Sequence, residues 1–318
     1  MAGNELITIG IACFNAQDTI LRALESALNQ RWGHKEILIV DDASTDQSVA
    51  KIKAAIEPYA HVRLVEHGNN KGPARVRQTI LDEAKGSFIV FFDDDDESLP
   101  ERIERQCERI VAYEQQTGES LIACYASGRR VYPNGYVVDM QAIGSRPEVP
   151  YGEAVADRLL FYGGRADFFY GSGTPTCSLM ARKSIFDAVG GFDSDFSRVE
   201  DVDFAVRVAL AGGHFIGCEE QLFIQYSTQG VDKAPENNLK AELLLAEKHK
   251  GYLKSKGRYM YARKWPLLRY YHFKKQYAQM FFILVVLFVR YPFKTSSHFL
   301  KTAPKRFLHE RKMKERGA

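Results

Sequence analysis

Between Leu6 and Phe92 the chain alternates apolar runs of strand length with stretches of helical period, and this constrains the fold more than any other feature. Leu6 to Cys13, Glu36 to Val40, Val62 to Val65 and Ser87 to Phe92 read as strands. Thr19 to Gln30, with Ile20, Leu24, Ala27 and Leu28 on one face, reads as a helix, as do Asp46 to Ile56 and Pro73 to Ala84. Pro73 suits a first helical position, where its missing N–H costs nothing. Strands separated by helices belong in a mostly parallel sheet covered on both faces, so the fold class is α/β.

The later sequence changes character. Asn134-Gly135 between short β-rich segments predicts a hairpin over Arg129 to Asp139. Residues 141–175, rich in Gly, Pro and aromatics, read as a loop able to close over a ligand. Thr176 to Ala181 reads as a strand, and Glu200 to Ala211 as a helix with Val202, Ala205, Val206, Ala209 and Leu210 inward. After about residue 235 the strands stop. Glu236 to Lys256 is helical by pattern, and Tyr259 to Arg290 is basic and aromatic. With 318 residues, 45% of them hydrophobic, the chain can bury one large core or a core plus an appendage. The expected division is an α/β domain over 1–235, itself in two parts, 1–100 and 101–235, and a helical extension over 236–318.

Charge divides along the same line. Residues 248–318 carry nineteen Lys and Arg against Glu310 and Glu315, so the tail is near +17 and the preceding part near −14. Within the tail, Met280 to Val289 is ten apolar residues without a break. Crossing a bilayer takes about 20, so this segment would lie on a membrane or pack as a core or interface helix. The five cysteines are scattered without metal-ligand spacing and read as buried thiols of a reducing compartment. Met1 to Glu5 lacks the basic start of a signal peptide, from which a cytoplasmic location is expected.

Carboxylates gather where strands end. The fourth strand runs into Asp93-Asp94-Asp95-Asp96, and four adjacent carboxylates cannot all be buried unpaired. They face solvent or a cation, and a divalent metal bridging carboxylate and diphosphate oxygens would resolve the repulsion. A solvated loop capping the next helix is the plain alternative. Asp41-Asp42 closes the second strand at the same sheet edge, suited to a nucleobase N–H or a ribose hydroxyl. Gly72 and Arg77 flank the third helix's start, where backbone N–H groups and a guanidinium favour a diphosphate, although a surface ion pair is Arg77's ordinary fate. Glu200-Asp201 opens a later helix, where carboxylates either complement the helix dipole or serve as a general base.

Taken together, these pieces resemble the family 2 glycosyltransferases. The matching segments are Ile7-Thr8-Ile9-Gly10-Ile11-Ala12-Cys13-Phe14-Asn15, Ile39-Val40-Asp41-Asp42-Ala43-Ser44-Thr45-Asp46 and Asn70-Lys71-Gly72-Pro73-Ala74-Arg75-Val76-Arg77. Phe91-Phe92-Asp93-Asp94-Asp95-Asp96, Gly190-Gly191-Phe192-Asp193 and Glu200-Asp201-Val202-Asp203 follow in the family's order, over roughly residues 6–230. The resemblance implies a GT-A, Rossmann-like fold and an inverting, metal-dependent transfer from a nucleotide sugar, with a UDP-sugar the commonest donor. It places Phe14, Asn15, Asp41, Asp42, Gly72, Arg77, Asp93 and Asp94 around the nucleotide. Asp93 and Asp95 form the Asp-x-Asp motif, Asp95 and Asp96 would hold Mn²⁺ or Mg²⁺, and Asp201, beside Glu200, would be the catalytic base. Two positions depart from the pattern: Gln78 stands where Asn is frequent, and Gln229 near a position where many members carry His.

The implied acceptor is a saccharide or lipid-linked saccharide of bacterial surface polysaccharide or lipopolysaccharide synthesis, met at the inner face of the cytoplasmic membrane through the basic tail. Competing classes fit less well. A nucleic-acid binder would interleave its aromatics with its cations, whereas here they cluster with aliphatics, so no nucleic acid is expected. A sugar nucleotidyltransferase would resemble its kind in a Gly-rich first turn with Arg and Lys, where this chain has Cys13-Phe14-Asn15-Ala16-Gln17. A catalytically dead relative would not be expected to keep the full acidic set.

Overall fold

In a computed structural model that describes residues 5–227 and 234–315, the chain divides into two compact units. One comprises Met1–Val131, Val137–Ala156 and Gly164–Ser227, the other Tyr132–Tyr136, Asp157–Gly163 and Thr228–Ala318.

The first unit is built on one sheet. Strands β1 (Ile7–Cys13), β2 (Lys35–Asp41), β3 (Val62–Glu66) and β4 (Phe88–Asp93) pair in parallel in the order β3-β2-β1-β4, linked by helices α1 (Ile20–Leu28), α2 (Ser48–Ile56) and α3 (Pro73–Glu83). Ile7, Ile9 and Ile11 of β1 are fully buried and so is Thr8 between them, as a strand covered on both faces requires. At Gly10 a Cβ would come within 2.3 Å of the Ile80 side chain, so glycine is what lets α3 lie close on β1.

Beyond β4 the sheet is mixed. After β5 (Glu97–Ser98) and α4 (Arg102–Thr117) come the hairpin strands β6 (Ile122–Val131) and β7 (Val137–Met140), then α5 (Glu153–Phe161) and β8 (Leu179–Arg182). Helices α6 (Lys183–Val189) and α7 (Glu200–Leu210) precede β9 (His214–Tyr226). Strand β8 is antiparallel to both β4 and β6, β9 runs parallel to β6, and β5 pairs antiparallel with β9. Parallel pairing, expected of most of the sheet, holds for β1 to β4 and again between β6 and β9. Two further expectations are corrected in detail: the 141–175 loop contains helix α5, and the strand expected at Thr176 begins with a 3-10 turn, Thr176–Ser178, because Pro175 precedes it.

The second unit holds α8 (Pro235–Lys248), α9 (Lys250–Ser255), α10 (Tyr259–Phe273), α11 (Tyr277–Arg290) and α12 (Pro292–Glu315). At its centre the His298 ring is stacked between Trp265 and Tyr162, at centroid distances of 3.6 and 4.1 Å, and Nδ1 lies 2.9 Å from the Tyr261 hydroxyl. Burial, reinforced by the nearby Lys294 and Arg158 charges, pulls His298 down to about 3. The folded state therefore refuses a proton that the unfolded chain accepts below its ordinary value of 6.5. This contribution to stability is complete above that value and is lost as pH falls toward 3. Comparing denaturant midpoints of wild type and His298→Gln from pH 7 to 4 should show a steeper acid loss in wild type, by at most about 1.4 kcal/mol per pH unit. Parallel curves would show that this ring does not couple to folding.

Candidate active site

The site lies at the C-terminal ends of β1, β2 and β4, where open α/β sheets bind ligands. Tight turns bring these ends together. The Phe14 N–H donates to Asp94 Oδ2 at 2.9 Å, tying β1 to the aspartate run. The Asn15 N–H donates to Ser44 Oγ at 2.8 Å, and Asn15 Oδ1 accepts the Thr45 N–H at 2.8 Å. Asp41 accepts from the Ser44 N–H and hydroxyl, which folds the loop after β2 back on itself. The Phe14 ring stays exposed beside this loop.

Asp42 is almost completely buried and organises the start of α3. Its carboxylate accepts the Lys71 N–H at 2.9 Å and the Gly72 N–H at 2.8 Å, and lies 2.7 Å from His67 Nδ1. Gly72, at φ 84°, adopts a backbone that a side chain would strain, and it aims the first turn of α3. Three non-glycine residues with positive φ flank the same region: Asn15, Ala43 and Val199, at 50°, 59° and 57°. Such strain, about 1–3 kcal/mol each, persists where a precise loop geometry is held by its surroundings. Val199 is the sharpest case, because it is β-branched and immediately precedes Glu200-Asp201.

Arg77 joins the distant parts. Its guanidinium pairs with Glu200 and lies 3.6 Å from Asp93, with 11% of the side chain exposed. Glu200 and Asp93 are far apart in the unit's sequence, and one cation bridges them. Gln78, the departure noted above, accepts the Phe192 N–H at 3.0 Å, so it anchors the Gly190-Gly191 turn against α3. Asp201 sits in the first turn of α7, its Oδ1 accepting the Val202 N–H at 2.8 Å. Burial raises its carboxyl above the ordinary range, with the Arg77 charge acting in the opposite direction.

The aspartate run is crowded with like charge. Burial raises Asp93, offset by Arg77 and reinforced by Asp95 and Asp201. Burial pushes Asp94 up to about 8 against the Phe14 N–H, and pushes Asp96 up to about 8 with help from Asp93 and Asp95. Asp96 Oδ1 accepts the Tyr226 N–H at 3.1 Å, while Oδ2 is buried with no donor at hydrogen-bond distance. One oxygen each of Asp93 and Asp96 and the Cys177 sulfur lie within 4.8 Å of one another. Carboxylates that resist ionising together, with an orphaned buried oxygen among them, fit a divalent cation. Of the two ligands expected from sequence, Asp96 faces this cluster. Asp95 contributes charge to it, and its backbone carbonyl accepts from Arg22. Gln229 lies outside the described residues.

Sequence reasoning missed several neighbours. Arg102, 1% exposed, donates to the Phe91 carbonyl at 3.0 Å and to Ser98 Oγ at 2.8 Å behind the run, where its charge acts on Asp93. Its signal was present in Pro100-Glu101-Arg102, a helix start six residues past Asp96. Tyr226 bonds Asp96 and Glu97 and carries the Arg22 guanidinium 4.1 Å above its ring. Tyr125, fully buried with no partner for its hydroxyl, feels the Asp201 charge. Nothing local marks Tyr125 or Tyr226, because β6 and β9 bring them in.

This sheet, with acidic strand ends meeting an arginine and a helix-borne carboxylate, has the architecture of the GT-A class of folds. Residues 8–136 match the Glycosyl transferase family 2 model. It is 39% identical over 106 residues to the succinoglycan biosynthesis protein ExoO of Rhizobium meliloti, covering 33% of this chain and 30% of ExoO. It is 28% identical over 205 residues to an Escherichia coli protein, UDP-Glc:alpha-D-GlcNAc-diphosphoundecaprenol beta-1,3-glucosyltransferase WfaP, covering 64% of this chain and 68% of WfaP. The chain spans only 30%, 40% and 29% of the length of three of the curated relatives it matches. Among solved structures, S. aureus TarS 1–349 in complex with UDP-GlcNAc superposes with a TM-score of 0.60 at 18% identity, over 87% of this chain and 79% of that one. That likeness shows the shared fold.

Proposed function

We propose that the chain is an inverting glycosyltransferase that moves a sugar from a UDP-sugar to a hydroxyl of a saccharide or lipid-linked saccharide, in bacterial surface polysaccharide or lipopolysaccharide synthesis. The observation that supports this most is the Arg77 bridge between Asp93 and Glu200, which sets Asp201 beside the aspartate run. The names of WfaP and TarS, which record UDP-sugars for those proteins, favour the same donor here.

The chemistry follows from the residues. Asp201 accepts the proton of the acceptor hydroxyl as its oxygen attacks the anomeric carbon, and the bond to the diphosphate breaks on the opposite side. A raised carboxyl is better matched to that task than an ordinary surface aspartate. Arg77 would meet the diphosphate oxygens. Asp96, with Asp93 and Asp95, would hold Mn²⁺ or Mg²⁺, which neutralises the leaving diphosphate when bound. Glu200 holds Arg77 in place. The 236–318 region would keep the enzyme peripheral at the inner face of the cytoplasmic membrane, where lipid-linked acceptors are concentrated.

Thermal-shift titration with nucleotide sugars and Mn²⁺ tests this reading. A UDP-sugar should raise the melting temperature in a metal-dependent way, by mass action on the native state. The double variant Asp95→Asn with Asp96→Asn should lose the metal-dependent part. An unchanged Mn²⁺ titration in that variant would remove the metal assignment, and no response to any nucleotide sugar would remove the function.

A further inference from the structure

We propose that α11 and its corner with α12 insert into one leaflet of an anionic bilayer as an apolar wedge, in place of adsorbing to headgroups by charge alone. This rests on the membrane reading above and specifies its mode. Only Ile283 and Leu287 of α11 are buried, one turn apart on a single face. They seat the helix within its unit, and the Thr295 hydroxyl bonds the Leu287 carbonyl at 3.0 Å.

Met280, Leu284 and Val286 are half-buried, and the remaining apolar residues of the tip face outward. Phe281, Phe282, Val285 and Phe288 are exposed, Val289 is 80% exposed, and Phe293 at the corner is 90% exposed. Along α12 the exposure continues at Leu300 and Phe307, each seven residues on, which keeps one helical face apolar. Water-soluble surfaces seldom carry so large a contiguous patch without an occupant.

Length and charge select the occupant. The fourteen residues of α11 span about 21 Å, short of the roughly 30 Å hydrocarbon core, and no described helix is long and apolar enough to cross a membrane. In-plane insertion remains. Lys275, Arg290, Lys301 and Arg311 are exposed along the same stretch of the chain, and Glu310 is the sole acidic residue between Tyr277 and Lys312. A second copy laid on this face would set cations against cations, and a nucleic acid would leave the phenylalanines wet. An anionic leaflet satisfies both sets of groups, with phosphates for the cations and acyl chains for the rings.

All five native cysteines are buried, so Phe293→Cys in the full chain can carry an environment-sensitive fluorophore selectively. With phosphatidylcholine–phosphatidylserine vesicles, the label should shift to the blue and be quenched by spin-labelled acyl chains. The shift should survive about 1 M salt, where the Debye length falls to roughly 3 Å. The triple variant Phe281→Ser, Phe282→Ser and Phe293→Ser should partition at least about tenfold less onto vesicles, and what remains should wash off in salt. Its melting temperature and its thermal shift with UDP and Mn²⁺ should match wild type. Co-sedimentation with a water-exposed, unquenched label would overturn insertion and leave membrane association standing. No co-sedimentation of wild type would overturn the membrane reading itself. A label buried in vesicle-free buffer, with a dimer by ultracentrifugation, would assign the face to a second copy.

Discussion

Asp201→Asn should lower turnover by about 10²–10⁴-fold, the usual worth of a positioned general base, while the donor dissociation constant changes by no more than about twofold. Asparagine keeps the shape and can still accept the Val202 N–H, but it cannot take a proton from the acceptor hydroxyl. The check is single-turnover transfer alongside donor binding by calorimetry. Turnover comparable to wild type would remove Asp201 from the base role. Loss of donor binding in step with turnover would instead make it a nucleotide ligand.

Arg77→Met should destabilise the first unit by about 3–5 kcal/mol, because it leaves Glu200 buried without its cation and withdraws charge compensation from Asp93. Urea midpoints would show this directly. Adding Glu200→Gln to Arg77→Met should restore much of the stability, since the stranded charge is then gone. Donor binding should not recover, because the guanidinium is the part proposed to meet the diphosphate. A double variant no more stable than the single one would mean that Arg77 acts through packing on Phe192, 6.0 Å away, and not through charge.

These two variants mark where sequence reading stops. The strands β1 to β4 and helices α1 to α3 lie within two residues of their expected bounds, because apolar period, Pro73 and the acidic strand ends are local signals. Helix α5 was hidden in a stretch whose glycines and aromatics read as loop. Strand β9 was hidden by Glu219-Glu220-Gln221, where its pairing with β6 shifts register.

What the sequence determined by itself was the parallel half of the sheet and the kinds of groups at its edge: carboxylates after β2 and β4, a glycine and an arginine at α3, and two acids opening a later helix. Only the tertiary structure decided which of them meet. Arg77 and Glu200 are 123 residues apart, and their contact forms because β8 crosses antiparallel between β4 and β6 and carries α6 and α7 back to the sheet edge. Closing so long a loop is repaid only by long-range burial, and no window of sequence contains that information.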